Sequence, residues 1–152
     1  MSDILKIFLT SSFTIIGGIV IYTSGQIISR FIIDPIHEQK RIIGEIADAL
    51  IYYANVYNTP GMWSDEKMDL VREKFRQLAT LLQSKTHLVP FYCFFVKYKM
   101  VTNAKAIYKS SENLILLSNS VHNPPNVIAG NTGQQNNQVA EEIKKLLNLK
   151  IL

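Results

Sequence analysis

Cysteine is almost absent from this chain of 152 residues, which contains only Cys93. One thiol cannot form an intrachain disulfide, and it cannot build a metal site from several cysteines. A single thiol also fits a reducing compartment better than the disulfide framework of a small secreted domain. Cys93 lies in the apolar run FYCFFV, so we expect it to be buried among aromatic rings and inert. His87, a few residues away, leaves a reactive thiol as the alternative.

Motifs that indicate a particular reaction are also missing. The chain has no phosphate-binding P-loop, no dinucleotide fingerprint and no GxSxG nucleophile turn. His37-Glu38 begins a zinc-protease pattern, but Arg41 occupies the position of its second histidine. Glu45 and Asp48 share a predicted helix face without the Glu-x-x-His pairs of a di-metal centre, and a solvated face explains them. We therefore predict a non-enzymatic protein with no catalytic residues, no cofactor and no metal site.

Charge is missing from a long N-terminal stretch, since only one tyrosine between Lys6 and Arg30 is ionisable. Residues 7–28 number 22, and as a helix they reach about 33 Å, enough for a hydrocarbon core of about 30 Å. A secretion signal is one alternative, but the n-region is nearly neutral and Thr23-Ser24-Gly25 is a poor cleavage site. A buried core helix is the other, although such helices rarely extend so far without a charged face. We predict a retained transmembrane helix within residues 1–33.

Lysine and arginine flank this stretch unequally. Lys6 alone precedes it, whereas Arg30, Lys40 and Arg41 follow it closely. Cytoplasmic flanks of membrane spans carry the excess of basic residues. The N-terminus is therefore expected outside and the remainder of the chain in the cytoplasm, which agrees with a reduced thiol.

Small and polar residues recur on one face of the predicted span, at intervals of three and four residues. Such a face lets two helices approach closely, and Thr14-xxx-Gly18 and Gly25-xxx-Ser29 match the small-xxx-small pattern. Gln26 would gain an interhelical hydrogen bond in lipid, although Gly and Ser are common in spans of every kind. We predict a homo-oligomer that forms through Ser11, Thr14, Gly18, Gly25, Gln26 and Ser29.

Strand-like alternation and internal repeats are absent, and the rest of the chain has helical periodicity. Asp34-Pro35 marks either the start of a new helix or a kink in one long helix. Four apolar stripes follow: Ile43, Ile46, Ala47, Leu50, Tyr53, Ala54 and Tyr57; then, after a Ser64 cap, Met68, Val71, Phe75, Leu78, Ala79 and Leu82; then Ile107, Leu114, Leu117 and Val121; and last Val139, Ile143, Leu146 and Leu147.

Residues 122–138 are rich in Pro, Asn, Gly and Gln, a composition that favours a flexible loop. The predicted fold is therefore all-α. A transmembrane anchor over 1–33 precedes a cytoplasmic helical domain over 34–121. The loop and a C-terminal helix over 139–152 complete a bundle of about four helices.

Acidic residues are scarce between Lys67 and Lys109, where nine Lys and Arg residues oppose two acids. Such an excess favours an anionic partner, and each basic residue near an anionic leaflet contributes about 1 kcal/mol. An ordinary solvated surface is the alternative. Specific nucleic acid recognition is not indicated. The candidate contacts for an anionic ligand or lipid are Arg72, Arg76, Lys97, Lys99 and Lys105.

Two stretches, FIIDPIHEQKRIIGEIADALIYYANVYNTPG (31–61) and SSENLILLSNSV (110–121), resemble a group of uncharacterised small bacterial proteins. That group combines one N-terminal span with a helical cytoplasmic region. The resemblance implies a bacterial inner-membrane protein and transfers no site residues. The function that we expect is a scaffold, sensor or effector that self-associates through the span or binds a protein partner. The alternative is a membrane-tethered binder of a nucleotide, nucleic acid or anionic lipid.

Overall fold

The computed structural model describes residues 3–122 and 132–149. These residues form helices and no strands, which confirms the all-α prediction. The elements are α1 (Asp3–Ile28), a π-helical turn (Ser29–Ile33), α2 (Asp34–Tyr52), α3 (Ala54–Asn58), α4 (Asp65–His87), α5 (Tyr92–Lys97), α6 (Ala104–Ser120) and α7 (Thr132–Leu146).

The helix α1, the π-helical turn and α2 form one continuous helix from Asp3 to Tyr52. Pro35 lies in its interior, where a proline removes one amide donor and its ring crowds the preceding turn. The π-helical turn comes just before it, and the amide of Asp34 donates to the carbonyl of Ser29, five residues back. This wider turn accommodates the proline. The chain therefore does not start a new helix at Asp34-Pro35.

The main core is formed by α2, α4, α6 and α7, and α3 closes one end of it. The helix α4 packs against α2 on one side and α6 on the other, while α7 packs against α6 and α3. The predicted stripes of α4 and α6 are buried in full, so both are confirmed. Asn103 caps the start of α6, and its side chain accepts a hydrogen bond from the amide of Lys105 at 2.9 Å.

The buried stripe of α2 agrees with its prediction at Ile46 and Leu50 and differs from it at other positions. Ile42 and Ala49 are buried there, whereas Ala47 is only partly covered. The helix ends at Tyr52, and Tyr53 leaves helical geometry before α3 begins. The prediction is therefore correct for part of the buried face of α2, and it missed Ile42 and Ala49.

The predicted loop 122–138 is wrong over residues 132–138, because α7 begins at Thr132. The first turn of α7 lies against α3, and a Cβ atom on Gly133 would collide with the carbonyl oxygen of Asn58. Asn136 is buried, and its Nδ2 donates to the carbonyl of Tyr57 at 2.6 Å. Gly133 and Asn136, whose residue types favour a loop, instead allow α7 to pack on α3. Residues 123–131 of the predicted loop lie outside the described residues.

Candidate functional site: the apolar helix and the adjoining end of the domain

The helix α1 has no buried residue. Its large apolar side chains are exposed along its whole length, with Ile4 at 79%, Phe13 at 70% and Ile21 at 76%. The helix is long and apolar enough to cross a membrane, a criterion that a signal sequence also meets. Its 26 residues extend over about 39 Å. An apolar surface of this extent on a soluble monomer would be exceptional.

Hydroxyl groups on α1 bond to the backbone of the same helix. Thr10 Oγ1 donates to the carbonyl of Lys6 at 2.8 Å, and Thr14 Oγ1 donates to the carbonyl of Thr10 at 2.9 Å. Bonds of this kind satisfy a hydroxyl where no water is present. Thr14 therefore contributes a small surface to the predicted self-association face, and its hydroxyl group already donates its hydrogen to the carbonyl of Thr10.

The five small residues of the predicted self-association face lie within about 60° of arc on an ideal helix. All are exposed except Ser29, which is partly covered at the start of the π-helical turn. A Cβ atom on Gly18 or Gly25 would meet nothing within 4 Å. Gln26 lies beside this face in a shallow groove that Arg30 also lines. Within the described chain, the face is uncovered.

The five predicted anion contacts fall at two ends of the domain. Arg76 on α4 donates to Asn119 Oδ1 at 2.8 Å, near the C-terminal end of α6. Lys105 lies in the first turn of α6, about 20 Å away along that helix. Lys97 and Lys99 belong to α5 and the turn that follows it. No common pocket gathers all five side chains.

Arg72 and Arg76 share an open depression on the outer face of α4. The same depression is lined by Asp69 and Glu73, so carboxylates lie among the guanidinium groups. Asp69 Oδ1 also lies 3.2 Å from Nε2 of His122. This surface carries mixed charge, which weakens its attraction for a free anion.

Gln39 on α2 is fully buried and joins three segments of the chain. Its Nε2 donates to Thr86 Oγ1 at 2.9 Å and to the hydroxyl of Tyr92 at 3.3 Å. The Tyr92 hydroxyl donates in turn to the carbonyl of Thr102. Burial raises the pKa of Tyr92, an effect that the hydrogen bond from Gln39 opposes. Sequence reasoning missed Gln39, because a glutamine in an amphipathic helix usually indicates a solvated position.

A second apolar cluster lies beside this network, separate from the main core. It connects the chain between α4 and α6 to the π-helical turn and the first turn of α2. His87 at the end of α4 also contacts Tyr108 on α6, with 3.1 Å between Nε2 and the hydroxyl oxygen. We call this region the α1-proximal end of the domain. The cluster consists of Ile36, Val89, Phe95 and Val101, with Ile32, Tyr92 and Val96 packed against it.

The run FYCFFV around α5 is only half buried, contrary to its prediction. Cys93 is exposed, so the expectation of a buried thiol is wrong. Phe95 is buried, whereas Phe91 and Phe94 are exposed at 78% and 56%. The reason is the short helix itself, since one face packs on α2 and successive residues turn outward.

Two of the four carboxylates of α2 take part in ion pairs. Glu38 accepts from Arg41 at 3.0 Å and lies 3.4 Å from Lys85 Nζ, and Glu45 lies 3.8 Å from the same arginine. The hydrogen bond from Arg41, opposed by desolvation, lowers the pKa of Glu38. Asp48 is exposed. Over residues 3–122 and 132–149, no three His, Cys, Asp or Glu side chains gather into a group that would hold a metal ion.

Comparisons of the chain with protein-family models, curated proteins and solved structures gave no match. The resemblance to small bacterial span-containing proteins therefore stays a prediction. Two features of the geometry stand out as candidates for function: the uncovered apolar helix, and the α1-proximal end of the domain with its exposed aromatic side chains.

Proposed function

We propose that this chain is a single-span, non-enzymatic membrane protein that presents its helical domain to the cytoplasm as a scaffold, sensor or effector. One observation carries the proposal: an apolar helix with no buried residue continues without a break into the core of a folded domain. Such a helix is unfavourable in water, whereas in a bilayer its backbone bonds are satisfied internally and its side chains meet lipid.

The charges that follow α1 support the orientation with the N-terminus outside. Arg30, Lys40 and Arg41 are exposed on the helix that leaves the apolar segment, and only Lys6 lies at the other end. Basic residues are retained on the cytoplasmic side of a membrane. The proposed location is the inner membrane of a bacterium, which follows from the resemblance.

Self-association through α1 is the second part of the proposal. The face with Gly18 and Gly25 has no neighbour in the described chain, and small residues allow a second helix to pack closely. The alternative function, capture of a soluble anionic ligand, has less support. Its five basic residues lie at two ends of the domain, and two of them are mixed with carboxylates.

Cys93 provides a test of the orientation because it is the only cysteine and is exposed. In intact spheroplasts, a membrane-impermeant maleimide should not label it, and labelling should appear after the membrane is dissolved in detergent. The matched control carries Asp3→Cys with Cys93→Ser and should be labelled without permeabilisation. Labelling of Cys93 in intact spheroplasts would contradict the orientation.

An N-terminal epitope tag separates a retained span from a cleaved signal. We expect the tag and the domain to stay on one polypeptide in the membrane fraction, and to resist extraction by alkaline carbonate. Recovery of an untagged, soluble domain would overturn the proposed function.

Cross-linking in membranes tests self-association. Gly18→Leu and Gly25→Leu place large side chains on the proposed contact face and should lower the dimer yield severalfold. Gly17→Leu is the matched control, because this glycine also has nothing within 4 Å of its Cβ position and points about 100° away on the helix. Equal yields for all three variants would exclude this face as the contact.

A further inference from the structure

The segment 88–100, which contains α5, exposes large apolar side chains that the domain does not cover. Val89 and Phe95 point inward to the second cluster. The outward set combines aromatic, aliphatic and basic groups. It consists of Leu88 at 62%, Phe91 at 78%, Phe94 at 56%, Tyr98 at 61% and Met100 at 44% exposure, together with the exposed Lys97 and Lys99.

This segment lies next to the end of the apolar helix. Its inward face packs on Ile32 of the π-helical turn and Ile36 of α2, while Phe31 and Ile33 still present exposed apolar side chains. The packing partners Ile32 and Ile36 are thus within about one helical turn of Ile33. The hydrogen bonds from Gln39 to Tyr92 and from Tyr92 to Thr102 hold the segment there.

The backbone takes the left-handed conformation at both ends of α5, at Phe91 with φ 48° and at Lys99 with φ 57°. The amides of Lys99 and Met100 donate to the carbonyls of Val96 and Phe95 at 3.0 and 2.9 Å, the pattern of a Schellman helix end. Glycine is the residue that such positions favour, and a residue with a Cβ costs about 1–2 kcal/mol there.

The same turn at the end of α7 has Asn148, with φ 52°, at the left-handed position. Asparagine tolerates this conformation better than most residues. At α5 the strained positions instead hold a phenylalanine and a lysine whose side chains are exposed. Because these two side chains are exposed, they add little packing to the turn, which points to a contact outside the chain.

The charge of this segment and of the residues after it favours an anionic surface as the partner. No acidic residue occurs from 88 to 109, whereas Lys97, Lys99, Lys105 and Lys109 do. Aromatic rings with lysines beside them are the composition of the boundary between headgroups and acyl chains, where the rings enter the apolar layer and the ammonium groups meet anionic lipid.

We propose that segment 88–100 is a second membrane contact, which inserts Phe91, Phe94 and Tyr98 into the headgroup–acyl boundary of the bilayer that α1 crosses. Lys97 and Lys99 bind anionic headgroups at the same level. The inference rests on the proposed single span. Together the two contacts fix the domain against the inner leaflet at a defined tilt, whereas the span alone would leave its orientation free.

Tryptophan fluorescence in vesicles of phosphatidylcholine and phosphatidylglycerol tests this with the full chain. Lipids brominated near the carbonyl end quench an indole at the boundary, and lipids brominated near the chain end quench one at mid-bilayer. Trp63 is the only native tryptophan and lies beyond α3, so it should be quenched by neither. With Trp63→Phe as background, the indole introduced by Phe94→Trp should be quenched by the shallow bromines.

Ile16→Trp in the same background separates the two proposals. This residue is in the middle of α1 and 57% exposed, so its indole should be quenched by the deep bromines. Deep quenching there without quenching at position 94 would overturn the second contact and leave the span intact. No quenching at position 16 would overturn the proposed function, and this inference with it.

Glycine substitutions distinguish membrane contact from a structural role. Phe91→Gly and Lys99→Gly relieve the left-handed backbone, so the melting temperature should rise or stay constant while shallow quenching at position 94 falls at least twofold. Asn148→Gly relieves the same strain elsewhere and should leave quenching unchanged. A fall in both melting temperature and quenching, or unchanged quenching, would contradict the role given to these two side chains.

Lipid charge tests the lysines. The shallow quenching at position 94 should be stronger in vesicles that contain phosphatidylglycerol than in phosphatidylcholine alone, and Lys97→Gln with Lys99→Gln should remove the difference. Each lysine near an anionic surface corresponds to about a fivefold change in partition. Equal quenching of the native sequence in both lipids would overturn the role of the lysines.

Discussion

The two ends of the domain are closed in different ways. At the end away from α1, which we call the far end, α3 and α7 meet through backbone contacts. Asn136 donates to the carbonyl of Tyr57, and Gly133 lies against the carbonyl of Asn58. The hydroxyl of Tyr57 donates to the carbonyl of Leu50 at 3.0 Å. At the α1-proximal end, a small apolar cluster and the Gln39 network hold a segment whose other face is uncovered.

This difference concerns the contacts that hold each end, since both ends also expose large apolar side chains. At the far end α7 is held on α3 by contacts within the chain, although Ile51, Tyr52 and Met62 remain exposed there. The α1-proximal end uses its polar network only to hold position, and it leaves aromatic rings outside. Exposed apolar side chains thus occur at both ends, and under the proposal above those at the α1-proximal end meet lipid.

The largest effect is expected from Gly133→Ala. The added methyl group would collide with the backbone of α3, so α7 must shift, and we expect a loss of about 2–3 kcal/mol in the free energy of unfolding. Gly44→Ala is the matched control on α2, where a Cβ meets nothing within 4 Å, and it should gain about 0.5–1 kcal/mol. Denaturant unfolding in detergent measures both. A neutral Gly133→Ala would mean that the far end is looser than its contacts indicate.

Removal of one hydroxyl from each end compares the two networks directly. Tyr92→Phe leaves the Thr102 carbonyl and one N–H of Gln39 without a partner, and Tyr57→Phe removes the bond to Leu50. Each should cost about 1–2 kcal/mol. Only Tyr92→Phe should also speed hydrogen exchange at the α5 amides, because it releases that segment. Faster α5 exchange in Tyr57→Phe would contradict the independence of the two ends.

Helix caps give a smaller contrast. Asn103 caps α6 with its side chain, whereas Ser64 occupies the N-cap position of α4 without a side-chain bond. Asn103→Ala should cost about 1 kcal/mol and Ser64→Ala much less. Thermal unfolding followed by circular dichroism compares them, and equal losses would show that the serine caps α4 in solution.

The smallest effect is expected in the dependence of fold stability on pH in the acid range. The pKa of Glu38 is lowered from its ordinary value of 4.5, chiefly by the hydrogen bond from Arg41. Its carboxylate therefore stabilises the fold above about pH 4.5, and that stabilisation is lost as the pH falls through the lowered pKa. Glu38→Gln should flatten the fall in stability on the acid side, and Lys85→Gln should reduce it in part. A steeper fall in Glu38→Gln would reverse the sign of this contribution.

Periodicity was sufficient to predict the apolar helix and the buried stripes of α4 and α6. The stripe from Met68 to Leu82 recurs at three and four residues, and the stripe from Ile107 to Val121 recurs at seven, three and four residues. Each set therefore lies on one helix face, which the packing of the domain follows. The partial miss in α2 concerns Ile42 and Ala49. The break at Tyr53 was also missed, because an irregular residue inside an apolar pattern has no distinct composition.

The misses concern residues whose role depends on a partner in space. Gly133 and Asn136 favour a loop by composition, and they become helical because α3 lies beside them. Gln39 is buried because Thr86 and Tyr92 reach it from distant parts of the chain. Cys93 turns outward because only one face of the short helix α5 packs on the domain. That helix begins after Phe91, whose residue type seldom adopts left-handed backbone.

The π-helical turn has a geometric consequence for everything that follows it. It spans 5 residues and contains about one more residue than an α turn, so the helix beyond it is rotated by about 100° about its axis. The π-helical turn, Ser29–Ile33, thus sets the direction in which the domain points about the helix axis, relative to the small-residue face of α1. Deletion of one residue there would rotate the domain about the axis of α1, so that it points in another direction in the membrane plane.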